Sequence, residues 1–175
     1  MIVWVLIALL LLWSIFLFYI DIDELITNIG IENTYLILFL VAAVSGTSFL
    51  TSASFYAVFL SYAQADLHPL VLGIVGGLGM SIGDSIFFLV SKRTGDVMNL
   101  SKNKTYRKVF TYIARLPHWG VYVFTYLYAS FSPFPNDILM VALGVLRFRY
   151  SRIIPIIIIG NITLLTLVAA GFSFF

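Results

Sequence analysis

The sequence contains no cysteine. Disulfides, thiolate metal sites and thiol nucleophiles are excluded with it, and so is any redox clue to the compartment. Charge is almost as scarce: ten Lys and Arg and eight Asp and Glu make up 10% of the 175 residues. An ordinary soluble domain carries about 25%. Eighteen charged side chains cannot cover a water-facing surface of this size, which excludes a soluble globular enzyme. A nucleic-acid binder is excluded too, because its affinity comes from a dense basic surface. Histidine is limited to His68 and His118. The topology derived below puts them on opposite sides of a bilayer, so no His pair suits a metal. Phosphate-cradling glycine loops and a convincing Ser/His/Asp arrangement are absent as well. The glycines at 73, 76, 77, 79 and 83 read as helix-packing residues. No enzymatic activity, metal or cofactor is expected.

What the chain does have is apolar surface. Hydrophobic residues make up 61% of it and its mean hydropathy is +1.04. Its length is about that of one domain, and the expected environment is a lipid bilayer. Residues 2–20 form an uncharged apolar run, close to the roughly 20 residues a crossing helix needs. No basic residue precedes it and no small-residue cleavage site follows, so a retained anchor is favoured over a signal peptide. Acidic Asp21, Asp23, Glu24 and Glu32 follow, in a short interfacial helix and turn.

Residues 35–44 and 55–63 are apolar arms too short to span. Between them lies a polar break containing Ser45, Thr47, Ser48, Thr51, Ser52 and Ser54. Hydroxyls there either satisfy broken backbone or line a hydrophilic groove. Residues 70–90 are a full-length apolar helix containing Asp84. The stretch 92–118 is polar and basic. Two more short arms, 119–129 and 138–146, flank the break Ser130, Phe131, Ser132, Pro133, Phe134, Pro135, Asn136 and Asp137, and 153–175 is a second full span containing Asn161. Short interrupted segments at corresponding positions of two halves point to a transporter-like site. Such a break is tolerated in a bilayer only where its backbone is buried in protein or faces a wet cavity.

Charge orients this pattern. Seven basic residues lie between Lys92 and Arg115 and the other three are Arg147, Arg149 and Arg152, whereas the loops at 21–34 and 64–68 hold five acidic residues and no basic one. By the positive-inside rule the basic segments are cytoplasmic, as is the N-terminus. The first hairpin then enters from outside and the second from inside. The expected fold is therefore an all-α integral membrane protein: an inverted repeat of two re-entrant helical hairpins, each followed by a full transmembrane helix, plus an N-terminal transmembrane helix. Residues 1–34 form the N-terminal part, 35–91 the first repeat, 92–118 the cytoplasmic connector and 119–175 the second repeat.

Asp84 is the sharpest candidate residue, since a carboxylate at the centre of a crossing helix costs at least about 2.5–3.5 kcal/mol. Helical spacing puts Gly77 and Gly73 on its face, which turns it towards a neighbouring helix and makes it a candidate proton carrier. The competing reading is a structural group one or two turns from the cytoplasmic end, either wet or salt-bridged, with Lys92 and Arg93 nearby. Pro133 and Pro135 withhold backbone donors and stop the helix. Asn136 and Asp137 either cap the returning arm or help form a site for an anionic head group at its N-terminus. Asn161 reads as an inter-helix hydrogen bond or a ligand. Arg115 reads as an interfacial anchor or a snorkelling phosphate contact, and the basic residues of 92–118 are suited to anionic lipid head groups.

The run from Gly76 to Asp84, followed by Lys92, Arg93, Thr94 and Gly95, resembles the glycine-rich helix and closing turn of the DedA family, also called the VTT or SNARE-associated domain. Trp119-Gly120 with its aromatic arm, Ser132-Pro133 to Asn136-Asp137, Gly144 and Arg147-Phe148-Arg149 resemble that family's second re-entrant motif. The resemblance covers about 35–175. It implies two facing re-entrant hairpins, a prokaryotic plasma membrane, and movement of phospholipids or polyprenyl-phosphate carriers between leaflets, with proton coupling in some bacterial members. Membrane lipids would be the partners, and a homo-oligomer is left open. Two departures matter. Ser130 and Asn136 stand where the bacterial pattern has arginines, and residues 51–55 replace a proline-flanked acidic residue. These departures favour a passive scramblase, with Asp84 and Asp137 as protonation gates, over a phosphate-gripping carrier. The rival readings are a membrane scaffold without transport and an intramembrane aspartyl protease using Asp84 and Asp137.

Overall fold

The computed structural model describes residues 30–45, 49–65, 67–94, 111–113, 115–132 and 136–172. The expected N-terminal transmembrane helix, most of the basic connector, and Pro133 and Pro135 lie outside them. Six helices are delineated: α1 (Ile31–Ser45), α2 (Phe49–Gln64), α3 (Pro69–Thr94), α4 (His118–Phe131), α5 (Asn136–Val145) and α6 (Tyr150–Phe172). No strand occurs among the described residues. At a rise of about 1.5 Å per residue, α3 and α6 are each longer than the roughly 30 Å of a hydrocarbon core, and the other four are shorter. Residues Pro69–Arg93 and Tyr150–Gly171 are long and apolar enough to cross a membrane.

The helix ends follow from local chemistry. α3 opens with Pro69, whose missing N–H costs nothing at a first helical position, while the His68 carbonyl accepts the N–H of Val71 and Leu72. α4 stops at Ser132, which is extended at φ −84° and ψ 131°. The following proline disfavours helical backbone there. α6 tolerates Pro155 in its second turn, where the carbonyl deprived of a partner belongs to the exposed Ser151. One difference from the sequence reading stands out. Thr51, Ser52 and Ser54 lie within the first turns of α2 rather than in a break; α1 ends at Ser45 and α2 begins at Phe49.

Packing is set by small residues. α3 and α6 run antiparallel in close contact: a Cβ on Gly77 would lie 2.7 Å from the Ile162 backbone nitrogen, and one on Gly73 would lie 2.8 Å from that of Thr166. Two further crossings match each other. A Cβ on Gly79 of α3 would sit 2.6 Å from the Ala42 Cβ of α1, and one on Gly160 of α6 would sit 2.6 Å from the Ala129 Cβ of α4. Each long helix thus receives the first helix of its own half at a Gly–Ala contact.

Two apolar cores result. One gathers Leu38, Phe55, Phe59, Tyr62, Leu72 and Leu165 among others. The second gathers Phe88, Val121, Leu139, Met140, Leu143, Ile153 and Ile157. Outside them, α3 presents Ile74, Leu78, Ile82, Ile86 and Leu89 to the surroundings, each at least 38% exposed. A stripe of that length with no polar residue in it matches a lipid-facing surface better than a wet one.

Candidate functional site

Between the two cores lies a polar waist. On α3, Asp84 falls between Met80 of the first core and Phe88 of the second; on α6, Asn161 falls between Ile157 and Leu165. The antiparallel contact of the two glycine-bearing faces brings these levels together. Asp84 is 2% exposed and Asn161 0%.

The bonding is specific. Asn161 Nδ2 donates to Asp84 Oδ2 at 2.8 Å and to Ser81 Oγ at 3.1 Å. Asn136 Nδ2, from the first turn of α5, donates to Asn161 Oδ1 at 2.8 Å and to Asp84 Oδ2 at 3.4 Å. Ser81 Oγ donates to the Gly77 carbonyl at 2.6 Å. Three helices therefore meet at one carboxylate, served by two side-chain amides.

Magnitudes show why this arrangement is tolerated. A hydrogen bond to a charged group contributes about 1.5–3 kcal/mol, and a carboxylate at mid-helix costs at least about 2.5–3.5 kcal/mol. One good amide bond offsets much of that, and a second closes the gap. Lys92 does not take part: its Nζ donates to the Phe148 carbonyl at 2.9 Å. Asp84 also lies ten residues before the last residue of α3, close to three turns inside the helix. The salt-bridged reading of Asp84 is replaced by an amide-held one.

The remaining candidates sort by position. Asn136, Asn161 and Asp84 are brought together. Asp137 is half-buried in the first turn of α5, with its carboxylate by its own backbone N–H. The Asn136 Nδ2 group reaches across to α3 and α6. Ser130 is buried on α4, and its Oγ has no hydrogen-bond partner among the described residues. Ser132 ends α4, its N–H donating to the Tyr128 carbonyl at 3.0 Å. Arg115 is exposed, two residues before Pro117, and takes no part in the cluster. Ser81 was not among the candidates. Its spacing of three from Asp84 on one helix face was the available signal. Among the described residues, no group of three or more His, Cys, Asp or Glu side chains could hold a metal ion.

The class these observations define is an all-helical protein with two helices long and apolar enough to cross a membrane, packed antiparallel around a buried Asp–Asn–Asn cluster. No protein-family model, no curated protein and no solved structure matches the chain.

Proposed function

We propose that this is an integral membrane protein of the DedA/VTT type that moves lipids between bilayer leaflets as a scramblase. The observation that carries the reading is the polar waist itself: Asp84, Asn161 and Asn136 joined by bonds of 2.8–3.4 Å at the crossing of α3 and α6. Polar groups at that depth are costly, and by default they mark a substrate or ion pathway. Two features support the family reading. The matched Gly79–Ala42 and Gly160–Ala129 contacts are what an inverted repeat of the two halves would produce. The short helices α1, α2, α4 and α5 beside two long ones fit two re-entrant hairpins.

In this reading a head group passes along the hydroxyls and amides of the waist while its acyl tails stay in lipid. Neutral amide dipoles suit weak, transient contacts, so passage is favoured over tight capture. Ser130 Oγ, buried on α4 without a partner among the described residues, is a further acceptor or donor for water or a head group. Asp84 supplies an ionisable group at this level, and its protonation would alter what the amides bind.

The test is lipid movement in reconstituted vesicles. Fluorescent lipid is placed in both leaflets, the outer leaflet is quenched chemically, and loss of the protected signal is followed. Wild-type protein should abolish the protection, and Asp84→Asn or Asn161→Leu should slow that loss. Protection equal to that of empty vesicles, with folded protein and several head groups tried, would leave the scaffold reading in its place.

A further inference from the structure

The connection between α5 and α6 forms a second polar region, separate from the waist. α5 closes with Arg147 N–H donating to the Gly144 carbonyl at 2.9 Å and Phe148 N–H to the Leu143 carbonyl at 3.1 Å. That bond pair is a Schellman closure, in which a left-handed residue, usually glycine, stands just beyond the cap. Here the residue is Arg147, at φ 58°. Lys92 fastens the same turn to the end of α3 through the Phe148 carbonyl.

The turn forms one wall of a cavity of about 190 Å³, lined among others by His118, Tyr122, Arg147, Phe148, Arg149 and Arg152. That is roughly six water volumes of about 30 Å³ each, enough for a phosphate group and part of what it is attached to. Three arginines line this space and, among the described residues, no Asp or Glu does. Arg152 Nη1 lies 3.5 Å from the Tyr122 hydroxyl, which ties one of them to α4. The Arg149 carbonyl accepts the N–H of Arg152 at 3.0 Å and of Ile153 at 3.2 Å, so α6 begins at the cavity with no acidic residue in its first turn.

The electrostatics call for an anion. Positive charge at a helix N-terminus opposes the macrodipole, and a negative group there is favoured. Arg149 and Arg152 are placed against that preference. The positive-inside rule accounts for basic residues on this side, but not for their gathering around a cavity. A guanidinium fork matches a phosphate in bidentate geometry.

We propose that this cavity binds a phosphate-bearing group, either the head group of a membrane lipid or free phosphate. The proposal is independent of the lipid-moving reading and stands or falls without it.

The experiment uses the full chain purified in non-ionic detergent, with bound lipid counted by native mass spectrometry. Phosphatidic acid is compared with diacylglycerol, which lacks the phosphate. Phosphatidic acid should be retained in preference, and Arg149→Gln with Arg152→Gln should weaken its binding about tenfold or more. Arg147→Gly, which keeps the turn and removes one guanidinium, should weaken it severalfold with the protein still folded. Arg93→Gln with Arg115→Gln makes the same charge change outside the cavity lining and should leave binding unchanged. Displacement by millimolar inorganic phosphate would assign the site to a soluble anion, and resistance to it would assign the site to a lipid head group; either upholds the proposal. Equal retention of the two lipids without phosphate competition, or equal losses in the cavity and control variants, would overturn it.

Discussion

Replacing Asn161 by Leu tests whether the waist is held by the amide–carboxylate bonds described. Asn161 is fully buried and takes part in three side-chain bonds, at 2.8 Å to Asp84, 3.1 Å to Ser81 and 2.8 Å from Asn136. Inter-helix hydrogen bonds in membranes average about 0.6 kcal/mol and reach about 1.7 kcal/mol. The bond to a carboxylate belongs at the upper end, because its loss strands a buried charge. Asn161→Leu should therefore destabilise by about 2–4 kcal/mol. Asp84→Leu behaves differently: it forfeits two bonds but also removes the insertion cost of at least about 2.5–3.5 kcal/mol, so it should come out near neutral. The combined variant decides the matter. With Asn161 already gone, Asp84→Leu removes an unsatisfied group and should restore stability, giving a coupling of about 1–3 kcal/mol. Unfolding by SDS titration in mixed micelles, followed by tryptophan fluorescence, measures all four corners. Losses that add within about 0.5 kcal/mol, or a double variant weaker than Asn161→Leu alone, would refute the assignment.

Two further outcomes are expected from the same assay. Gly77→Ala puts a methyl 2.7 Å from the Ile162 backbone nitrogen, and backbone cannot step aside as a side chain does. It should cost about 1–3 kcal/mol as overpacking, whereas Gly171→Ala, with nothing within 4 Å, should be neutral or slightly stabilising. Arg147→Gly relieves a left-handed residue at φ 58° and should stabilise by about 1–2 kcal/mol; a loss of stability instead would mean that the Arg147 side chain holds the turn.

The long helices were easy to read because lipid-length apolar runs have few alternative structures. α3 and α6 lie within a few residues of the runs at 70–90 and 153–175. The first interruption was harder. Clustered Ser and Thr between apolar arms resemble a break, yet in a helix the hydroxyl can bond the carbonyl one turn back. Ser61, Ser81 and Ser85 do this, at 3.1, 2.6 and 2.6 Å. Such residues therefore carry no helix-stopping signal, and α1 ends at Ser45 with α2 beginning at Phe49. Pro133 is different in kind, because it restricts the residue before it by sterics, and α4 does end at Phe131. The partners of Asp84 were not legible. That an aspartate in an apolar helix faces protein follows from cost alone, but that Asn136 reaches it is a contact between distant segments. No local pattern encodes it.

The depth of each polar group explains its chemical type. Asn136 and Ser130 occupy positions where the resembled bacterial pattern carries arginines, and in this chain both belong to buried or half-buried levels of the fold. A guanidinium there would add its own insertion cost, about 2.5–3.5 kcal/mol at the centre of a crossing helix, and would need a resident anion to offset it. The amide of Asn136 costs far less, and its Nδ2 group donates to both Asp84 and Asn161. The three arginines of this half stand instead around the α5–α6 turn, where long side chains reach water. On the two proposals above, the tasks are separated: strong anion contacts sit where they are cheap to solvate, and weak dipolar ones sit at the waist. A head group held tightly at the waist would have to be released against several kilocalories, which slows passage. Neutral amides would flatten that barrier, and on the proposed lipid-moving function the departure from the resembled arginine pattern favours passive movement over carriage.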